Sequence, residues 1–138
     1  MKTEKITVQS TVSAGRQKAW DYYTDPEHIT KWNFASDDWH CPSASNDMKI
    51  GGKYAAKMEA KDKSFCFDFE AIYENIEPGV KFVYVMTDGR KVSVEFKEQS
   101  AKTVVTVTFD AETQNSLELQ KNGWQAILNN YKKYIERK

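Results

Sequence analysis

Phe65-Cys66-Phe67-Asp68-Phe69-Glu70-Ala71-Ile72-Tyr73-Glu74 alternates without a break. Phe65, Phe67, Phe69, Ala71 and Tyr73 fall on one side of this stretch, and Cys66, Asp68, Glu70, Ile72 and Glu74 on the other. Side chains of an extended chain point to opposite faces in turn, so the stretch predicts a half-buried β-strand whose inner face is aromatic. C-terminal to it, Glu77-Pro78-Gly79 marks a turn, Val80–Met86 a strand and Asp88-Gly89 a hairpin. Val92, Val94 and Phe96 alternate in a strand beginning at Lys91, Glu98–Lys102 turns, and Thr103–Asp110 is a β-branched strand. Beyond Asp110 the period changes to that of a helix, with Leu117, Trp124, Ile127, Leu128, Tyr131 and Ile135 on one side. Asn115 followed by Glu118 predicts a capping box at its start, with Asn as the cap, and the helix runs for about twenty residues, or ~30 Å.

N-terminal to the aromatic strand, Asp62-Lys63 turns. Before that, Gly51-Gly52 opens a strand with Tyr54, Ala56 and Met58 on one face. Asn33 to Asp47 reads as irregular, with Pro42 amid Ser, Asn and Asp, yet the stretch from Trp32 keeps Phe34 and Trp39. Bulky aromatics in a loop imply that the loop covers something. Asp25-Pro26-Glu27 starts a short helix, with Asp as N-cap and Pro at the first helical position, ending near Trp32. Ala14–Thr24 is a helix capped by Ser13, and Met1 to Val12 alternates as a first strand. Short loops between the late strands favour antiparallel pairing, and the one long helix covers a free sheet face. The expected fold is α+β: a curved antiparallel sheet wrapped around a long C-terminal helix, with two short helices after the first strand.

The 138 residues fit one domain, taken as residues 1–138. Twenty Lys+Arg balance twenty Asp+Glu, which argues against nucleic acid and against a polybasic membrane anchor. The chain has 7 Phe, 7 Tyr and 4 Trp, a stock of rings suited to a large apolar interior. Two cysteines, Cys41 and Cys66, do not make a disulfide framework. No apolar stretch resembles a signal peptide or a spanning helix. The expectation is a cytoplasmic chain with reduced thiols and no membrane insertion.

The segment Asp47-Met48-Lys49-Ile50-Gly51-Gly52-Lys53-Tyr54 resembles the D-x-[RK]-x-G-G-x-[YF] segment of the activator-of-heat-shock-ATPase-homologue family. Trp32, the Tyr73-Glu74-x-Ile76-x-Pro78 turn, the Asp88-Gly89 hairpin and Gly123-Trp124-Gln125-x-Ile127-Leu128 fit the same pattern in the same order, over roughly residues 5–136. This family belongs to the START/SRPBCC superfamily, with the birch-pollen allergen and the polyketide cyclases. The resemblance implies the helix-grip fold, with a cavity between the curled sheet and the long helix.

The candidate ligand-binding residues follow from that geometry. Tyr54, Met58, Phe67, Phe69, Tyr84 and Phe96 belong to the inner sheet face, Trp124, Leu128 and Tyr131 to the facing helix, and Trp32, Phe34, Trp39 and His40 to the segment over the mouth. Met together tightly, they make an ordinary core. Held apart, they line a pocket of the ~300–1,000 Å³ usual for small ligands. Gly123 costs helix stability, about 1 kcal/mol against Ala; it marks either a close approach to sheet or ligand, or a tolerated surface position. Asp37, Asp38, His40, Cys41, His28 and Cys66 show no metal-ligand spacing, and no metal and no cofactor are expected. Asp68 and Glu70 belong to the outer, wet face, and Lys132, Lys133, Arg137 and Lys138 suit the negative end of the last helix.

Three functions compete. The first is non-catalytic binding of a small hydrophobic or amphipathic ligand, with no catalytic residue assigned and with His40, Tyr54, Tyr84 and Tyr131 as the polar groups that select it. The second is a cyclase- or hydrolase-like enzyme using His40 and a tyrosine. The third, from the family resemblance, is a co-chaperone-like module that stimulates a heat-shock ATPase. This chaperone partner is the weaker expectation, because eukaryotic activators combine this domain with a second one. A homodimer is left open.

Overall fold

A computed structural model describes residues 4–137. The Met1–Thr3 part of the first predicted strand, and Lys138 of the C-terminal basic cluster, lie outside the described residues. The element order is β1 (Lys5–Val12), α1 (Arg16–Thr24), α2 (Pro26–Trp32), β2 (Trp39–Asn46), β3 (Lys53–Ala60), β4 (Cys66–Glu77), β5 (Lys81–Met86), β6 (Lys91–Gln99), β7 (Lys102–Asp110) and α3 (Leu117–Glu136). The strands form one antiparallel sheet in the order β1-β7-β6-β5-β4-β3-β2, a curled half-barrel. The fold is α+β and of the helix-grip type. Among the described residues no helix is long and apolar enough to cross a membrane.

The inner face is set by the alternation. Tyr54, Ala56, Met58 and Ala60 of β3 are buried, as are Val92, Val94 and Phe96 of β6 and Val105, Val107 and Phe109 of β7. In β4 the register slips between Tyr73 and Asn75 against β5. Such a bulge bends a strand and sharpens its twist, which helps the sheet close around α3. The Gly51-Gly52 segment holds the same place from the other side: the Gly51 N–H donates to the Tyr73 carbonyl at 2.8 Å, and the Tyr73 N–H to the Gly52 carbonyl at 3.0 Å. A Cβ on Gly52 would stand 2.1 Å from the Asp47 carbonyl oxygen, so no larger residue fits there.

Four local expectations are corrected. The stretch read as irregular between Asn33 and Asp47 contains strand β2. It lies at the sheet edge, where Pro42 removes no ladder bond that a neighbour needs, and its register slips between His40 and Ser43. Helix α1 starts at Arg16 rather than Ala14, with Gly15 rather than Ser13 at its cap. The Ser13 N–H is instead bound by the Glu136 carboxylate at 2.9 Å. The turn between β6 and β7 is only Ser100-Ala101, both at positive φ (49° and 68°), without the Asn-Gly signature such a turn favours. Finally, Ser116 caps α3, accepting from the Leu119 N–H at 3.1 Å, while Asn115 is held by Glu112. The Asp25 cap of α2 is as expected, its side chain accepting from the Glu27 N–H at 3.0 Å.

The interior has two unlike ends. At the closed end Trp20 packs edge-on against Phe82 and Phe96, at 5.7 and 5.3 Å between ring centroids. There the Tyr131 hydroxyl donates to the Ala19 carbonyl at 2.6 Å and Thr103 Oγ1 to the Ala14 carbonyl at 2.8 Å. At the other end sheet and helix stand apart.

Candidate ligand-binding cavity

The gap between α3 and the inner faces of β3, β4 and β5 is a cavity of about 520 Å³. Strand alternation brings Tyr54 and Met58, Phe67 and Phe69, and Tyr84 and Met86 to its sheet wall. Helical spacing brings Trp124, Ile127 and Leu128 to the opposite wall. The rings touch one another: Phe69 meets Trp124 edge-on at 6.2 Å, and Tyr54 stacks on Tyr84 at 5.5 Å. Trp124 is fixed from behind by a stack on Phe109 at 4.1 Å. Trp32 lines the cavity from α2, its indole N–H donating to the Tyr22 carbonyl at 3.0 Å.

The remaining expected residues lie elsewhere. Phe96 is buried against Trp20 and Tyr23 at the closed end. Tyr131 is one turn beyond Ile127 and Leu128, which carries it past the cavity to α1. Phe34 is half-buried beside the mouth, where its carbonyl accepts from the Asn130 side chain. Trp39 packs on Phe65 and Phe67 at 5.9 and 6.0 Å, on the rim rather than the wall. His40 sits opposite Glu59 in the β2–β3 ladder, and its Nε2 meets the Glu59 carboxylate at 2.8 Å. Glu59 alternates with the buried Met58 and Ala60, so this pair is turned away from the cavity and no acid–base role of His40 inside it follows.

Several lining residues had not been singled out. Tyr73 continues the Phe67–Phe69 face one step beyond Ala71, and Tyr23 follows Trp20 at helical spacing. Asn33, just past α2, donates from Nδ2 to the Tyr54 hydroxyl at 3.4 Å. Gly123 also lines the cavity, and a Cβ there would meet nothing within 4 Å. Its role is therefore not close packing against the sheet: the missing side chain leaves room.

The electrostatics of the floor are those of a dry cluster of phenols. Burial, then the neighbouring phenols, push the Tyr54 and Tyr84 hydroxyls well above the ordinary tyrosine range. Burial raises Tyr23 and Tyr73 as well. These groups stay protonated at any ordinary pH. Of the charged groups on the lining, Arg90 Nε meets Asp88 at 2.7 Å, Glu70 meets Lys53 at 3.3 Å and Glu112 accepts from the Asn115 amide. Asp68 also borders the space, so neither it nor Glu70 is confined to the outer face as expected. Among the described residues no group of three or more His, Cys, Asp or Glu side chains is arranged to hold a metal ion.

The family model for Activator of Hsp90 ATPase homolog 1-like protein matches residues 13–136. The chain belongs to this family. It is similar to an AHSA1-like protein from Aeromonas hydrophila solved by NMR, with 38% identity, a TM-score of 0.91, and 97% of this chain and 93% of that one covered. A protein from Cytophaga hutchinsonii is 45% identical, with a TM-score of 0.83 over 96% of this chain and 92% of the other. A crystal structure from Chromobacterium violaceum shares the fold at 18% identity, with a TM-score of 0.85 and 96% of each chain covered. No curated protein matches the sequence. Family membership suggests a ligand-binding or co-chaperone-like module and names no ligand.

Proposed function

We propose that this domain binds a small hydrophobic or amphipathic molecule in its internal cavity and performs no chemistry on it. The observation that carries this reading is the cavity itself. Its volume of about 520 Å³ lies within the ~300–1,000 Å³ of small-molecule sites, and aromatic rings from both walls face the space. A chain that needed only stability would close such a gap, because unfilled apolar space forfeits contacts on every wall. Gly123 supports the same reading, since a better helix former would fit without a clash. The test is binding of an uncharged apolar fluorophore such as N-phenyl-1-naphthylamine to the wild type and to Gly123→Phe, whose ring would occupy the space. Saturable binding that is lost in the variant is expected. Equal binding by both proteins, or none by the wild type, would remove the proposal.

The family description favours a second reading, a protein-interaction module that stimulates a heat-shock ATPase. Exposed Phe65, Phe67, Leu117 and Leu119 offer apolar contact area for it. Adding the domain to an Hsp90 and measuring ATP hydrolysis decides the matter, and an unchanged rate removes this second reading.

A further inference from the structure

The Tyr84 side chain is 6% exposed, yet its hydroxyl has no hydrogen-bond partner among the described residues. Among those residues no fully enclosed side-chain nitrogen or oxygen is left without a partner. The Tyr84 oxygen is therefore not enclosed, and the space it opens on is the cavity its ring lines. Tyr23 repeats the pattern from α1: it lines the same cavity and its hydroxyl is likewise unpartnered among the described residues. Neighbouring phenols show the contrast. Tyr73 donates to Asn46 Oδ1 at 2.7 Å, and Tyr54 accepts from Asn33. A hydroxyl without a partner in apolar surroundings is unfavourable, and two of them facing one space define a neutral polar spot among the aromatic rings of the wall.

We propose that this spot is a subsite for an uncharged oxygen, a carbonyl or hydroxyl at the inner end of the bound molecule, held by the Tyr84 and Tyr23 hydroxyls. The inference rests on the cavity-binding reading above. Each phenol offers one donor and two acceptor positions, so it serves a carbonyl or a hydroxyl equally well. Burial first, and then neighbouring phenols that include Tyr23, raise the Tyr84 hydroxyl, and burial raises that of Tyr23, so both stay neutral donors. A carboxylate is selected against. Arg90 is the one cation among the described lining residues, and Asp88 already holds it. The bound molecule is thus an apolar body with a neutral oxygen at one end, body towards Trp124 and oxygen towards Tyr84.

The test compares naphthalene, 2-naphthol and 2-naphthoate at pH 7 by NMR titration of the wild type and of Tyr84→Phe/Tyr23→Phe. Both hydroxyls lack protein partners, so the double variant keeps the internal hydrogen bonds. In the wild type 2-naphthol should bind about tenfold tighter than naphthalene, as one net hydrogen bond gives. It should also bind tighter than 2-naphthoate. In the double variant the naphthol-to-naphthalene ratio should fall to about one. Naphthalene binding as well as naphthol in the wild type, or a preference that survives in the double variant, would overturn the subsite and leave the cavity reading standing. Binding of none of the three would overturn both.

Discussion

Tyr131 and Tyr84 are both tyrosines among aromatic neighbours, and their hydroxyls are treated in opposite ways. Tyr131, fully buried between α3 and α1, donates to the Ala19 carbonyl and so joins the two helices. The Tyr84 ring packs on Tyr54 in the sheet wall, but its hydroxyl has no partner among the described residues and opens on the cavity. The difference runs through the whole interior. The closed end is packed ring against ring, with Trp20, Phe82 and Phe96 in edge contacts and Thr103 tied to Ala14. The other end keeps a gap, a glycine where alanine would fit, and two phenols without protein partners. One end holds the fold together, and the other encloses open space.

Truncation should separate the ends most strongly. Phe96→Ala opens a hole in the closed end and should cost about 3–5 kcal/mol of unfolding free energy. Phe69→Ala, whose ring already borders empty space, should cost about half that or less in the same urea titration. Equal costs would break the distinction. Removing single hydroxyls gives the next largest contrast. Tyr131→Phe leaves the Ala19 carbonyl without its donor and should destabilise by about 1–3 kcal/mol, whereas Tyr84→Phe should stay within about 0.5 kcal/mol of wild type without ligand. Gly123→Ala should stabilise the helix by up to about 1 kcal/mol, read as a higher urea midpoint, because the new methyl meets open space.

The smallest effect concerns pH and the outer strand. The Asp110 carboxylate is hydrogen-bonded by Lys5 and by the Lys91 N–H, and these hold its pKa below the ordinary carboxylate range. Its folded-state pKa lies below its unfolded one, so its stabilisation is present above the usual aspartate pKa and is lost as pH falls through the lowered value. Asp110→Asn should therefore flatten the acid limb of the stability profile, measured as the melting temperature between pH 5 and pH 2. The phenols of the cavity stay protonated throughout that range.

Most of the architecture was legible from periodicity. The aromatic alternation from Phe65 to Tyr73 and the helical recurrence from Leu117 to Ile135 identify the sheet and the helix that grips it. Strand β2 was hidden because an edge strand tolerates the Pro42 and Ser/Asn content that elsewhere means a loop. The cavity was harder to read, because alternation tells which face a residue is on and not how deep it lies. Phe96 and Tyr84 share an inner face, yet one is packed into the core and the other borders the gap. His40 illustrates a second limit. Its face depends on a pairing with Glu59 that appears only once β2 is known to be a strand. The role of Gly123 needed the space around it, which no spacing in the sequence reports.

The most direct test locates a bound molecule. Intermolecular NOEs between 2-naphthol and the side chains of the isotope-labelled domain should reach Trp124, Phe69 and Tyr84, and none should reach Trp20 or Phe96. NOEs confined to the exposed rim at Phe65 and Trp39, or none to any side chain, would contradict a binding cavity between the sheet and α3.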